Sequence, residues 1–386
     1  MDEIYFDDQT VEIRDMVRRL AREKIAPLAQ ASDDEDRFPA ELVQPLYDAG
    51  ILTMPMEEAY GGIDAPTQVL SVVLEEVGAA FATMGPVLLS TFSPIKIVAM
   101  AGLPHQRAAI FSAMSATPSI GAFCLSEPHF GSDARSMKTT LTKKGDRWVL
   151  NGTKRWITNG GIAHWYLVFA RCGEGHDDYA VCMIPATLPG ISFGKKEKKM
   201  GLRGGPMCDV IFDNVELPEE YLVGKPGDGW TILDRTANTM RCWGAASICA
   251  GIARSAYEVA GKYAAEREAF GRPIGKFQGI GFKLADMATN LRTTQLLIRD
   301  TNYRVDRELP TVSAGTMAQV SMAKYRAADT AMSVSLEAVQ ILGGYGYMQE
   351  YEVERMMRDA KAFQILDGSN EIQRLILSRD ILRSFA

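Results

Sequence analysis

Ile13, Met16, Val17 and Leu20 recur every three to four positions, the spacing of one helix face, and Pro27 is expected to end that run. Similar runs cover Ala40–Ala49, Thr67–Phe81 and Pro86–Ala101, separated by Gly and Pro, and Pro55 to Gly62 reads as a loop. From about Ile120 the pattern shortens. Leu141-Thr142 and Trp148-Val149-Leu150 flank Lys144-Gly145-Asp146, which predicts a hairpin, and Asn151-Gly152 predicts a second tight turn before Lys154–Ile157. Tyr166–Ala170, Tyr179–Ile184 and Val210–Phe212 are further short strands, so the middle of the chain predicts a barrel or sandwich of roughly 100 residues. After Gly224-Lys225-Pro226-Gly227, long periodic runs return over Trp230–Arg267, Gly279–Arg307, Val312–Leu342 and Val353–Ser384. Four such runs with short connections predict a four-helix bundle. The expected fold is mainly α with a central β domain. Its parts are an N-terminal helical domain (1–119), a β-barrel-like middle domain (120–228) and a C-terminal four-helix bundle (229–386).

The last run contains an interruption. Met356, Met357, Ala360, Phe363 and Leu366 keep helical spacing up to Asp367-Gly368-Ser369-Asn370, a cluster of turn and cap formers. A second helix follows, with Ile372, Leu375, Ile376 and Ile381 on one face and Ser369 or Asn370 as N-cap. Asp367 is thereby held between two packed helices beside a helix N-terminus, a rigid place to present one carboxylate. Taken alone, an Asp-Gly pair there is most simply a cap.

Composition narrows the class. A chain of 386 residues, 47% hydrophobic and 23% charged, has the make-up of an ordinary globular protein with room for two or three domains. A net charge of -6 argues against a nucleic-acid partner. The six cysteines (124, 172, 182, 208, 242, 249) lack CxxC or Cys/His spacing, which suggests neither a zinc site nor a disulfide framework. Met1 to Thr10 is acidic and lacks the basic and apolar regions of a signal peptide. Val77–Ile95 and Ala108–Ser126 are uncharged but interrupted by Pro, Ser and Thr, so no membrane insertion is expected and the cytoplasm is the expected compartment.

Three further segments carry chemistry only in combination: Phe123-Cys124-Leu125-Ser126-Glu127-Pro128-His129-Phe130-Gly131-Ser132-Asp133, Trp156-Ile157-Thr158-Asn159-Gly160-Gly161, and Gly343-Gly344-Tyr345-Gly346-Tyr347. Singly they read as a loop, a strand end and a helix C-cap. In this order they resemble the acyl-CoA dehydrogenase family over essentially the whole chain. Tyr60-Gly61-Gly62, Lys199-Met200-Gly201-Leu202-Arg203, Glu266-Arg267, Phe270-Gly271-Arg272-Pro273-Ile274, Phe277-Gln278 and Arg355-Met356-Met357-Arg358-Asp359-Ala360 extend the match.

The resemblance implies FAD held between the strand domain and the bundle. Phe123, Leu125 and Ser126 would line the flavin, Ser132 would face its pyrophosphate and the substrate, and Trp156 and Thr158 would flank the ring. Arg267, Phe270, Phe277 and Gln278, with Gln340, Ile341, Leu342, Gly343 and Gly344, would reach the FAD of a second subunit in a homotetramer. Ser369 and Glu371 would touch the cofactor, and Arg241, Asp367 and Gly368 the substrate; no metal is implied. Asp367 stands where most members carry Glu, as the base removing the α-proton of an acyl-CoA while hydride leaves the β-carbon. Its backbone N–H and a flavin ribityl hydroxyl would hold the thioester oxygen. An electron-transferring flavoprotein is the implied acceptor.

Aspartate is one methylene shorter than glutamate, which withdraws the carboxylate by about 1–1.5 Å, and misplacement on that scale costs about 10²-fold unless the substrate fills the gap. A bulkier acyl group, alicyclic or α-branched as in cyclohexanecarboxyl-CoA, is therefore expected. Counted back from Gly251, the place where some members carry their base is Arg241, and the family's CoA-contacting arginine is replaced by Cys242, with Arg241 as substitute. The alternatives are straight short- or medium-chain dehydrogenation, and enoyl-CoA reduction or elimination. A non-catalytic acyl-CoA or flavin-binding scaffold is the third; the retained flavin-lining residues and the acid at 367 count against it.

Overall fold

The computed structural model describes residues 5–385; of the acidic N-terminal stretch, Met1 to Ile4 lie outside them. Helix α1 (Asp8–Leu20) begins on the Asp7 cap, whose carboxylate accepts from Thr10 N–H at 2.8 Å. Pro27 does not end the run. A π-helical turn (Ala21–Ile25) and a 3-10 turn (Ala26–Leu28) carry the chain into α2 (Ala29–Asp34), because a proline in the first positions of a turn lacks only an N–H that has no helical partner anyway. Then come α3 (Val43–Asp48), α4 (Thr67–Ala80), α5 (Met84–Ala101) and α6 (Pro104–Ser115). Among the described residues α5 alone is long and apolar enough to cross a membrane, and 72% of it is buried inside the protein. The sequence reading missed α6, whose start is fixed by Gln106: its Oε1 accepts from Leu103 N–H and its Nε2 donates to Gly224 carbonyl at 2.9 Å.

Seven strands follow: β1 (Gly121–Cys124), β2 (Thr140–Lys144), β3 (Arg147–Thr158), β4 (Trp165–Arg171), β5 (Tyr179–Pro185), β6 (Ile191–Phe193) and β7 (Met207–Leu217). They form one sheet in the order β1-β4-β2-β3-β7-β6, with β5 on β4, and it curves into a half-barrel. The predicted hairpin is β2–β3, turning at Gly145. The predicted turn at Asn151-Gly152 is absent, because β3 runs straight through it. The pair instead marks a register shift against β7, and a Cβ on Gly152 would meet Thr139 Oγ1 at 2.5 Å. Glycine there serves a bulge and a close approach.

The C-terminal part comprises α7 (Gly229–Arg235), a π-helical turn (Arg241–Ala246), α8 (Ser247–Glu266), a short hairpin β8 (Glu268–Ala269) and β9 (Arg272–Pro273), then α9 (Gln278–Glu308), α10 (Ala314–Leu342), α11 (Val353–Phe363) and α12 (Asn370–Ser384). The predicted run Trp230–Arg267 is thus broken by irregular turns. Helix α10 is central, packing on α8, α9, α11 and α12. Val17 of α1, Leu70 of α4, Trp243 of the π turn, Val320 of α10 and Phe363 of α11 belong to a single apolar core, so the N-terminal helices and the bundle are buried against each other. Two smaller cores lie against the sheet.

Candidate active site

Asp367 sits in the turn between α11 and α12. It and Gly368 both have left-handed backbones, φ +53° and +80°. Such a conformation is costly for an aspartate and persists only when its surroundings hold it. Here three elements do so. From the π turn, Arg241 Nε donates to Asp367 carbonyl at 3.1 Å. From α10, Lys324 Nζ donates to Gly368 carbonyl at 2.7 Å and to Asn370 Oδ1 at 3.3 Å. From α12, Gln373 Nε2 donates to Gly368 carbonyl at 3.1 Å. Glycine suits 368 because of its left-handed φ, and a Cβ there would also push aside that Gln373 nitrogen, 2.5 Å away. The Ser369 hydroxyl accepts from Ile372 N–H at 3.4 Å and caps α12, and Glu371 follows in its exposed first turn. Among the described residues the N–H of Asp367 has no hydrogen-bond partner.

Burial pushes the Asp367 carboxyl above its ordinary value, and the cations of Lys324 and Arg241 pull it back. The same burial brings Arg241 down to about 10 and Lys324 down to about 8. The net direction for Asp367 is up, which strengthens it as a proton acceptor, and the two cations limit the rise.

The structure adds to the reading of Arg241 and Cys242. Counting back from Gly251 assumed an uninterrupted α-helix, whereas the π turn takes up one extra residue. Arg241 therefore comes to face Asp367, while Cys242 is buried with its thiol 3.7 Å from Ile298 carbonyl. Lys324 and Gln373 were missed. A lysine on the α10 face that also carries Val320, Ala327, Ala328 and Ala331, all buried, was the available signal.

The other predicted residues form two groups. In the first, Phe123 on β1 packs its ring 5.3 Å from Phe169, and Leu125 and Ser126 follow it. A fully buried pair, Lys154 and Glu127 at 2.9 Å, braces this segment, with Lys154 Nζ also donating to Leu125 carbonyl at 3.0 Å. Trp156, at φ +56°, is 53% exposed, and Thr158 ends β3. Buried Asn159 fixes that strand end by donating to the carbonyls of Val87 and Gly121 at 3.0 and 2.8 Å. Ser132 is exposed in the loop between β1 and β2.

In the second group, a cleft of about 470 Å³ is lined by Arg267, Ile341, Leu342, Gly343 and Gly344 among others. Gln340 lies in the last turn of α10 beside it. Phe270, 95% exposed at φ +54°, stacks edge-on with Phe277 at 6.0 Å, and Gln278 starts α9. An exposed indole face, and a cleft with an arginine and two glycines whose Cβ positions have nothing within 4 Å, suit a large, flat, anionic cofactor.

Residues 7–117, 122–215 and 227–382 match the N-terminal, middle and C-terminal domain families of acyl-CoA dehydrogenase. An acyl-CoA dehydrogenase of Bacillus subtilis is 40% identical over 383 residues, 98% of this chain and 99% of the relative. The solved butyryl-CoA dehydrogenase of Megasphaera elsdenii superposes with TM-score 0.92 at 33% identity, covering 98% of this chain and 99% of that one. A chain solved in work on the electron-transferring flavoprotein of Acidaminococcus fermentans has the same TM-score at 34% identity, with the same coverage.

Proposed function

From the premise that the chain belongs to the acyl-CoA dehydrogenase family, we propose that Asp367 is the base removing the α-proton of an alicyclic or α-branched acyl-CoA, of the cyclohexanecarboxyl type. The enzyme is an FAD-dependent oxidoreductase acting on a CH–CH bond. When bound, FAD supplies the acceptor for the β-hydride. The chain's own residues do the rest. Asp367 takes the α-proton, its unpartnered N–H is available to hold the thioester oxygen as negative charge develops there, and Arg241 and Lys324 fix the peptide carrying both.

The observation that carries the reading is a single carboxylate on a strained turn pinned from three sides. Phe123, Leu125, Ser126, Ser132, Trp156 and Thr158 are proposed to hold one FAD. Arg267, Phe270, Phe277, Gln278 and Gln340 to Gly344 are proposed to hold that of a neighbouring subunit in a homotetramer. Ser369 and Glu371 also belong to the cofactor site. The exposed Phe270 supports the second group, since a side chain that bare suits a partner surface. Similarity to the Acidaminococcus chain supports an electron-transferring flavoprotein as acceptor. The bacterial acyl-CoA dehydrogenase relative supports the cytoplasm as compartment. The shortened acid supports the bulky acyl group.

A panel of purified thioesters tests the substrate. Turnover is expected to favour cyclohexanecarboxyl- or α-branched acyl-CoA, and a clear preference for butyryl- or octanoyl-CoA overturns that assignment in favour of the straight-chain chemistry of the Megasphaera relative. Asp367→Asn should lower turnover by about 10²–10⁴-fold while FAD stays bound.

A further inference from the structure

Lys324 is 1% exposed, on a face of α10 where its neighbours are the buried Val320, Ser321, Ala327, Ala328 and Ala331. An ammonium buried among alanines is expensive unless something compensates its charge. Its two hydrogen-bond acceptors, the Gly368 carbonyl and the Asn370 side-chain oxygen, are both neutral. The charged and titratable groups around it are few. Asp329, one turn along α10, already has Arg374 at 2.7 Å and accepts from Gln364 and Asn370. The Cys249 thiol faces in from α8, Arg241 from the π turn, and Glu371 from the exposed start of α12. Asp234 of α7 acts on Arg241. Asp367 is left as the anion without a committed partner, and Lys324 is hydrogen-bonded to the carbonyl of the very next residue at 2.7 Å.

We propose that Lys324 is a positioning residue for proton abstraction: it locks the Asp367–Gly368 turn from beneath and supplies the countercharge that keeps Asp367 ionised. The inference rests on Asp367 being the base. Lys324 touches neither substrate nor reacting atoms; it acts through the turn. The two contributions separate chemically, because a neutral amide in its place can keep a hydrogen bond to Gly368 carbonyl and loses the charge. Removing the cation removes a term that holds the carboxyl down, so Asp367 titrates higher and is less ionised at a given pH.

The experiment is a pH titration of carboxyl stretches by difference infrared spectroscopy on the FAD-loaded enzyme, with the Asp367 band identified by its loss in Asp367→Asn. Lys324→Met and Lys324→Gln should each raise the Asp367 midpoint by about 1 unit or more, and Lys324→Arg should bring it back toward the native value. Turnover of the two neutral variants should fall most on the acid side of the profile. An unmoved midpoint in Lys324→Gln, with Asp367→Asn inactive, overturns the role of Lys324 and leaves the base assignment standing. Full turnover in Asp367→Asn removes the base assignment itself, and this inference with it.

Discussion

Asp359 lies two turns before Asp367 and is buried against the middle domain, its carboxylate accepting from Leu202 N–H at 2.5 Å. Its neighbour Arg358 forks between Asp33 of α2 and Glu354, at 2.6 and 2.7 Å. Burial raises the Asp359 carboxyl from 3.8 to about 7. The native state therefore holds a proton that the unfolded chain has released across that interval. The associated stability is complete below 3.8 and is lost as pH rises through about 7. Asp359→Asn should flatten the decline of folding stability over this window in denaturant titrations at stepped pH, and a slope equal to the native one excludes the effect. At this scale the sequence was partly legible. Asp367 stood out because turn formers interrupt a periodic run, whereas Lys324 passed as one more charged residue because its burial depends on helices distant in sequence.

Helix α8 continues the π turn that carries Arg241 to Asp367, and its own position is set by Gly251. A Cβ there would lie 2.2 Å from Glu75 carbonyl oxygen and 2.7 Å from Ala79 nitrogen, both backbone atoms of α4. Backbone cannot rotate aside as a side chain can, so Gly251→Ala must part the two helices. A loss of about 1–3 kcal/mol is expected, read by thermal or denaturant unfolding, and unchanged stability contradicts the close approach. Element type followed from apolar period for α4, α5, α9 and α10, where runs are long. It failed where hydrogen bonding departs from the regular pattern: the π turn at Arg241–Ala246, the bulge at Gly152, and the passage through Pro27. Residue spacing carries no mark of an i→i+5 bond, which is why the π turn before α8 went unread.

At the scale of the whole molecule, helices give way to strands between Ser115 and Gly121 and return at Gly229. That alternation was readable because period changes with element type. The shared core of the N-terminal helices and the bundle was not readable, since it depends on which apolar faces meet. Phe270 is the clearest sign of a further layer of organisation. If the proposed homotetramer shares its FAD sites there, Phe270→Asp should lower the assembly state in light-scattering chromatography and reduce bound FAD in parallel, and an unchanged assembly that keeps its FAD refutes the shared site. The turn at Asp367 has one more consequence. Its shape depends on side chains contributed by the segment before α8, by α10 and by α12. A nascent or partly unfolded chain therefore carries Asp367 without the geometry of its turn, and the proposed proton abstraction waits on the docking of all three segments.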